Sequence, residues 1–200
     1  MPSFNDIDSD GDLDLFISVL GGDGGIQLSE NFLFYENIEG SFYLQTTNFM
    51  NSIDFNSNVV PEMVDIDSDG DLDLFIGQDY NTSTFPIRGR IYFFRNIGDE
   101  VFQLEDDELL GVDIGTSLSP VFADIDSDGD LDLFVGKYNG MVVFYENIGT
   151  PNSFDFIYNS NLENVDVGSY SKPAFWDIDS DGDLDLFIGE NYGKIFFYEN

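Results

Sequence analysis

The stretch Asp124-Ile125-Asp126-Ser127-Asp128-Gly129-Asp130-Leu131-Asp132-Leu133-Phe134-Val135 puts carboxylates on alternate residues and then turns apolar. It is not unique in the chain. DIDSDGDLDLFI also starts at Asp6, Asp65 and Asp177, so successive starts are 59, 59 and 53 residues apart. A second string follows each copy: FYEN at Phe34, FFRN at Phe93, FYEN at Phe144 and FYEN at Phe197. A period of this length with a fixed internal grammar marks a repeat architecture, each copy being one supersecondary unit.

Local structure reads most clearly in the third copy. Pro120 to Ala123 enters the acidic loop as a short apolar run, and Leu131 to Val135 leaves it as another. Lys137-Tyr138-Asn139-Gly140 holds the Asn-Gly pair that supplies positive φ in a hairpin turn. Met141 to Tyr145 is then a third strand and Phe154 to Tyr158 a fourth, outer one. Four antiparallel strands per repeat make one propeller blade. Met141-Val142-Val143-Phe144-Tyr145 is apolar on both faces, as a blade stacked between two others requires and a sheet with one wet face does not. A β-sandwich could use similar strands, but it gives no reason for one loop to recur at one strand junction. The expected fold class is therefore all-β, a β-propeller with blades at about 2–58, 59–117, 118–170 and 171–200. The last blade lacks an outer strand, and the four are expected to be part of a larger propeller.

Within each loop the aspartates occupy positions 1, 3, 5, 7 and 9. They are Asp6, Asp8, Asp10, Asp12 and Asp14 in the first copy and Asp65, Asp67, Asp69, Asp71 and Asp73 in the second. Asp124, Asp126, Asp128, Asp130 and Asp132 follow in the third, then Asp177, Asp179, Asp181, Asp183 and Asp185 in the fourth. Hard oxygen donors on alternate residues, with a glycine at position 6 for a sharp turn, suit Ca²⁺. Side chains at positions 1, 3, 5 and 9 are the expected ligands, with a backbone carbonyl from position 7. An EF-hand shares the first half of this pattern but needs a glutamate at position 12 and flanking helices. Position 12 here is Ile17, Ile76, Val135 or Ile188, each inside a strand-like run.

These loops, the prolines Pro2, Pro61, Pro120 and Pro173 ahead of them, and the FYEN-like strings resemble the FG-GAP or VCBS-type repeats. Such repeats build integrin α-subunit propellers and occur in many secreted bacterial proteins. The resemblance covers essentially the whole chain. It implies a ring of roughly seven blades, calcium in the loops between first and second strands, and an extracellular or cell-surface role in adhesion or ligand recognition. About four Ca²⁺ ions are the expected cofactors.

Composition narrows the remaining choices. Forty acids against six bases give a formal charge of -34, which argues against nucleic acid as a partner. With no Cys and no His, disulfides, thiolate or histidine metal sites and imidazole catalysis are all excluded. Paired carboxylates are the one enzymatic machinery left. A carboxylate-based polysaccharide lyase or hydrolase is thus the alternative to a noncatalytic module, with Glu30, Glu36, Asp79, Glu146 and Glu190 as available acids. A structural spacer is the third reading. No apolar run is long enough to enter a membrane, and the first residues carry no export signal.

In a propeller, loops joining strands one to two share a face with those joining three to four, and the remaining loops share the other. Tyr80, Phe85, Arg88, Arg90, Tyr138 and Tyr192 fall in or beside loops joining second to third strands, opposite the expected metals. Lys137, Lys194 and Lys172 add charge there. Blades one and two carry insertions in this loop class, roughly Gly21 to Glu30 and Gln78 to Gly89. A glycan or protein ligand is expected on that face, an acidic one suiting the bases.

Overall fold

In a computed structural model the chain is built of strands, with no α-helix among the described residues, which are 2–8, 10–18, 32–46, 55, 58–79, 88–98, 101–111, 114–159, 162 and 164–200. Blade one is β1 (Pro2–Asn5), β2 (Asp14–Ser18), β3 (Phe32–Ile38) and β4 (Ser41–Thr46). Blade two is β5 (Val59–Val64), β6 (Asp73–Gln78), β7 (Ile91–Asn96) and β8 (Phe102–Asp106). Blade three is β9 (Ser119–Ala123), β10 (Asp132–Gly136), β11 (Val142–Asn147) and β12 (Phe156–Asn159). Blade four holds β13 (Lys172–Trp176), β14 (Asp185–Gly189) and β15 (Ile195–Tyr198) and is three-stranded, as expected. Every sheet is an antiparallel meander in chain order, so the fold is a β-propeller of four blades.

The outer strand of blade three begins later than its apolar run. Thr150 and Ser153 close a tight hairpin, and Phe154 turns inward instead of pairing. Its ring lies 5.3 Å from Phe93 of blade two, so it serves the seam between blades rather than the ladder.

A simple alternation governs the seams. The phenylalanine of each DLF run faces the next blade, while the residues on either side of it face the previous one. Phe75 stacks on Phe93 of its own blade at 4.7 Å and meets Phe122 of blade three at 4.5 Å. Phe134 repeats this with Phe144 at 4.5 Å and Phe175 of blade four at 4.4 Å. Leu133 and Val135, one residue either way, belong instead to the core shared with blade two. The period of two in a strand thus feeds two cores from one sheet.

Glycines let the innermost strands approach. A Cβ on Gly77 would lie 2.4 Å from the Leu118 carbonyl oxygen and 2.5 Å from Pro120 Cδ. On Gly136 it would lie 2.2 Å from the Ser171 oxygen and 2.7 Å from Pro173 Cδ. Pro120, and likewise Pro173, is therefore a knob against the preceding blade. Its missing N–H costs nothing there, because each first strand is a sheet edge.

The first strands of all four blades line a common central cavity of about 450 Å³. Glu62 and Lys172 both face it among prolines and aromatics. Burial pushes the Glu62 carboxyl up to about 7 and lowers the Lys172 amine. An acid whose pKa is higher in the folded than in the unfolded chain stabilises the fold least when ionised. This contribution is lost as pH rises from the ordinary value of 4.5 through about 7. Glu62→Gln is accordingly expected to raise stability by on the order of 2 kcal/mol above pH 7 and to change it little near pH 4.5. Thermal melts of both proteins across that range check this; a parallel offset at every pH would show that packing, not ionisation, is responsible.

Candidate metal sites

Each acidic loop joins the first strand of a blade to the second. Serine at position 4 takes a left-handed conformation, with φ of 57° at Ser68, 61° at Ser127 and 64° at Ser180. Glycine at position 6 follows with φ between 95° and 102°. Two left-handed residues in three coil the chain tightly, and the backbone N–H groups then point inward at position 1. In the third loop the Asp128 and Gly129 N–H groups donate to the two oxygens of Asp124, each at 3.1 Å. The other three loops repeat both bonds within about 0.1 Å.

This coil brings the position 1, 3 and 5 carboxylates together. Asp6, Asp8 and Asp10 each offer an oxygen within 4.8 Å of the others, as do Asp65, Asp67 and Asp69. Asp124, Asp126 and Asp128, and Asp177, Asp179 and Asp181, do the same. Position 9 stands just outside each group and has a second task. Asp132 is buried and accepts from the Asn147 N–H at 2.8 Å and the Ile125 N–H at 3.4 Å. It thereby ties the loop to the third strand. Asp14 and Asp185 make the same pair of bonds. The asparagine of the FYEN string completes the tie: Asn147 Nδ2 donates to the Leu131 carbonyl at 3.2 Å, and its Oδ1 accepts from Gly149. Asn37 and Asn96 hold their own loops this way. Position 7 side chains are not in the groups.

The electrostatics favour a cation. Desolvation by burial, aided by the charges of Asp10, Asp14 and Asp6, pushes Asp8 up. Asp130 and Asp179 rise for the same reasons. Asp73 and Asp132 are both pushed to about 6, mainly by burial. Asp67 Oδ1, Asp73 Oδ2 and Asp130 Oδ1 are buried with no hydrogen-bond partner, although the Ile66 N–H is near enough to Asp73 to favour its charged form. Buried carboxylate oxygens without partners are costly, and a hard divalent ion is the group that satisfies several at once. The donor set fits calcium, with positions 1, 3 and 5 as side-chain ligands and position 9 adjacent.

The second loop differs. Its third strand reads FFRN, and Arg95 forms an ion pair with Asp67 while lying 5.4 Å from the Phe93 ring centre. Asn152, from the outer hairpin of blade three, also donates to the Asp67 carbonyl at 2.8 Å. A guanidinium on a position 3 carboxylate competes with a metal for the same charge. The other copies carry Glu36, Glu146 and Glu199 at this place.

Of the residues expected on the opposite face, Tyr80 and Phe85 lie outside the described residues, as does most of both insertions. Tyr138 and Tyr192 are exposed at hairpin tips, and Tyr138 packs edge-on against Tyr170 at 4.8 Å. Backbone bonds from Tyr170 to Tyr138 and from Asn191 to Ser169 place hairpin tips and interblade segments on one surface, as the loop classes required. Arg88 and Arg90 are not free charges: they pair with Glu108 at 2.6 Å and Asp107 at 3.4 Å. Lys172 turns into the central cavity instead.

Loop two is expected to be the weakest calcium site, and Arg95→Glu is expected to tighten it about three- to tenfold, or ~0.7–1.4 kcal/mol. Calcium titration calorimetry on both proteins tests this; an unchanged isotherm would mean the ion pair does not compete.

The chain matches the family described as FG-GAP-like repeat in three overlapping spans, residues 6–76, 65–135 and 124–188. No curated protein matches it. Each span runs from one acidic loop through the DLF strand of the next, so it takes in the last three strands of one blade, the first two of the next and the seam between them. With that coverage, and with the same coiled loop at the same junction of every blade, the chain belongs to the FG-GAP-like repeat family.

Proposed function

We propose that this chain is a noncatalytic recognition module of an extracellular β-propeller, in which four calcium ions hold the blade loops rigid. The observation that carries the reading is the three-carboxylate group repeated in all four loops, with a buried unpartnered oxygen in the group at Asp67 and others beside the groups at Asp73 and Asp130. Extracellular calcium is abundant enough to fill modules that bind at about 10⁻⁴ to 10⁻³ M. No helix among the described residues is long and apolar enough to cross a membrane.

The acids considered for catalysis have structural partners where they are described. Glu190 accepts from the Tyr192 and Lys194 N–H groups and caps a hairpin. Asp79 is bonded to Ser117 and Asn58, Glu146 to Asn159, and Glu36 to Gln45. This supports a binding role over a polysaccharide-cleaving one. Glu30 lies outside the described residues.

Recognition is assigned to the face away from the metals, where Tyr138, Tyr170 and Tyr192 present exposed rings. With Arg88 and Arg90 already paired, the surface suits the flat faces of a neutral glycan better than an acidic ligand. Loops on a rigid scaffold are where such contacts concentrate.

Two outcomes are expected. Chelation lowers the melting temperature, because each site adds roughly 2.7 kcal/mol when free calcium is about 100 times its dissociation constant; Asp126→Ala removes about one site's share. An identical melt with and without chelator would reduce the loops to acidic turns. On a glycan array in calcium, Tyr138→Ala and Tyr192→Ala each weaken binding about tenfold, ~1.4 kcal/mol, while Arg88→Ala has a smaller effect. Loss through Arg88→Ala alone would point to an acidic ligand.

A further inference from the structure

Two charges stand where the repeat does not call for them. The first strand of each blade carries a proline, and the residue after it is Ser3, Val121 or Ala174 in three copies but Glu62 in the second. The residue before it is Met1, Val60 or Ser119 in three copies but Lys172 in the fourth. Small or apolar groups therefore satisfy the blade at both places. Both charged side chains face the central cavity of about 450 Å³, a size within the ~300–1,000 Å³ of ordinary small-molecule sites.

Neither charge is answered by the protein. Among the described residues the Glu62 carboxylate and the Lys172 amine make no hydrogen bond and no ion pair, with each other or with a third group. Burial alone raises Glu62, and burial lowers Lys172 against a weaker pull from Asp79. The wall around them is apolar, formed by Val60, Pro61, Pro120, Phe122, Pro173 and Phe175. A charge held in such a place costs stability unless a partner arrives. Groups kept at that cost cluster at binding sites.

Register sets how far apart the two stand. Glu62 pairs across its blade with Phe75, and the equivalent Phe187 pairs with Ala174, two places beyond Lys172. First strands run side by side in one direction, so the charges are offset along the cavity by two residues, or about 7 Å. There is room for a ligand between them. A calcium ion would find one carboxylate here, too few oxygens to hold it, and a phosphate would find one lysine. A molecule carrying both charges answers both groups. It is also neutral overall, so the formal charge of -34 does not repel it. An extended peptide advances ~3.5 Å per residue, so two or three residues carry their termini across this gap.

Glu62, Phe122 and Lys172 belong to blades two, three and four, whose inner strands are set by the contacts of Pro120 on Gly77 and Pro173 on Gly136. Seams inside the chain thus fix the site. We propose that the central cavity binds a short zwitterionic peptide, two or three residues long with apolar side chains, its free amino terminus on Glu62 and its free carboxylate on Lys172.

Calorimetry on the 200-residue chain in calcium, near neutral pH, tests this with the dipeptide leucyl-phenylalanine. Saturable one-to-one binding is expected at millimolar peptide. Acetylating the amino terminus and amidating the carboxylate should each weaken it about tenfold. Glu62→Gln, already expected to be the more stable protein above neutral pH, should weaken the free dipeptide as much, and acetylation should then cost nothing further. Lys172→Met should do the same toward amidation, with a thermal melt of each variant showing that it is folded. ε-Aminocaproate, which carries both charges but no side chain for Phe122 and Phe175, should bind about tenfold more weakly than the dipeptide. Three results would overturn the proposal. One is no heat at millimolar dipeptide. The second is a loss on capping that persists in full in the matching variant. The third is ε-aminocaproate binding as tightly as the dipeptide.

Discussion

A sheet with apolar side chains on both faces cannot stand alone in water, and this constraint shapes the whole molecule. The two middle blades bury their DLF phenylalanines, Phe75 and Phe134, in one direction and the flanking Leu and Ile or Val in the other. No blade therefore has a core of its own; the cores lie between blades. Aromatic pairs at 4.4 to 4.7 Å fill them, and a glycine opposite a proline sets how closely the inner strands approach. Stability in such an array is close to a sum of repeat and nearest-neighbour terms.

The acidic loop meets a different requirement on the same backbone. It must reverse the chain between two strands while crowding carboxylates that repel one another. Backbone N–H groups answer part of that repulsion, two at position 1 and, in most copies, two at position 9. What they leave over, the unpartnered oxygens and the upward shifts of Asp73 and Asp132, is the charge deficit that a divalent ion would fill. The loop is thus partly preorganised by hydrogen bonds to its own strand junction. Position 9 serves the strand junction as well as bordering the carboxylate group, so a metal held there would be linked to blade stability.

Placing both loop classes on one scaffold separates their roles. The second acidic loop packs under the outer hairpin of blade three, where Asn152 donates to the Asp67 carbonyl, so an ion held in that loop would stiffen the seam between blades as well as the loop. The opposite surface carries the tyrosines at hairpin tips, where side chains can change without disturbing a ladder.

The residues alone determined the repeat, its four-strand grammar and the acidic loop between first and second strands, because each rests on local chemistry: alternating carboxylates, glycine turns and strand-length apolar runs. Asn147 and its equivalents were visible as a recurring letter, but their task was not, since it depends on a carbonyl 16 residues away. The dual placement of Asp132, the capture of Asp67 by Arg95 and the inward turn of Phe154 were likewise hidden. So was the pairing of Arg88 and Arg90, whose charges read from the chain as free. A one-dimensional pattern reports which groups a residue carries and which face it takes. Whether that group is already spent on a neighbour from another strand or blade is settled only when the sheets pack.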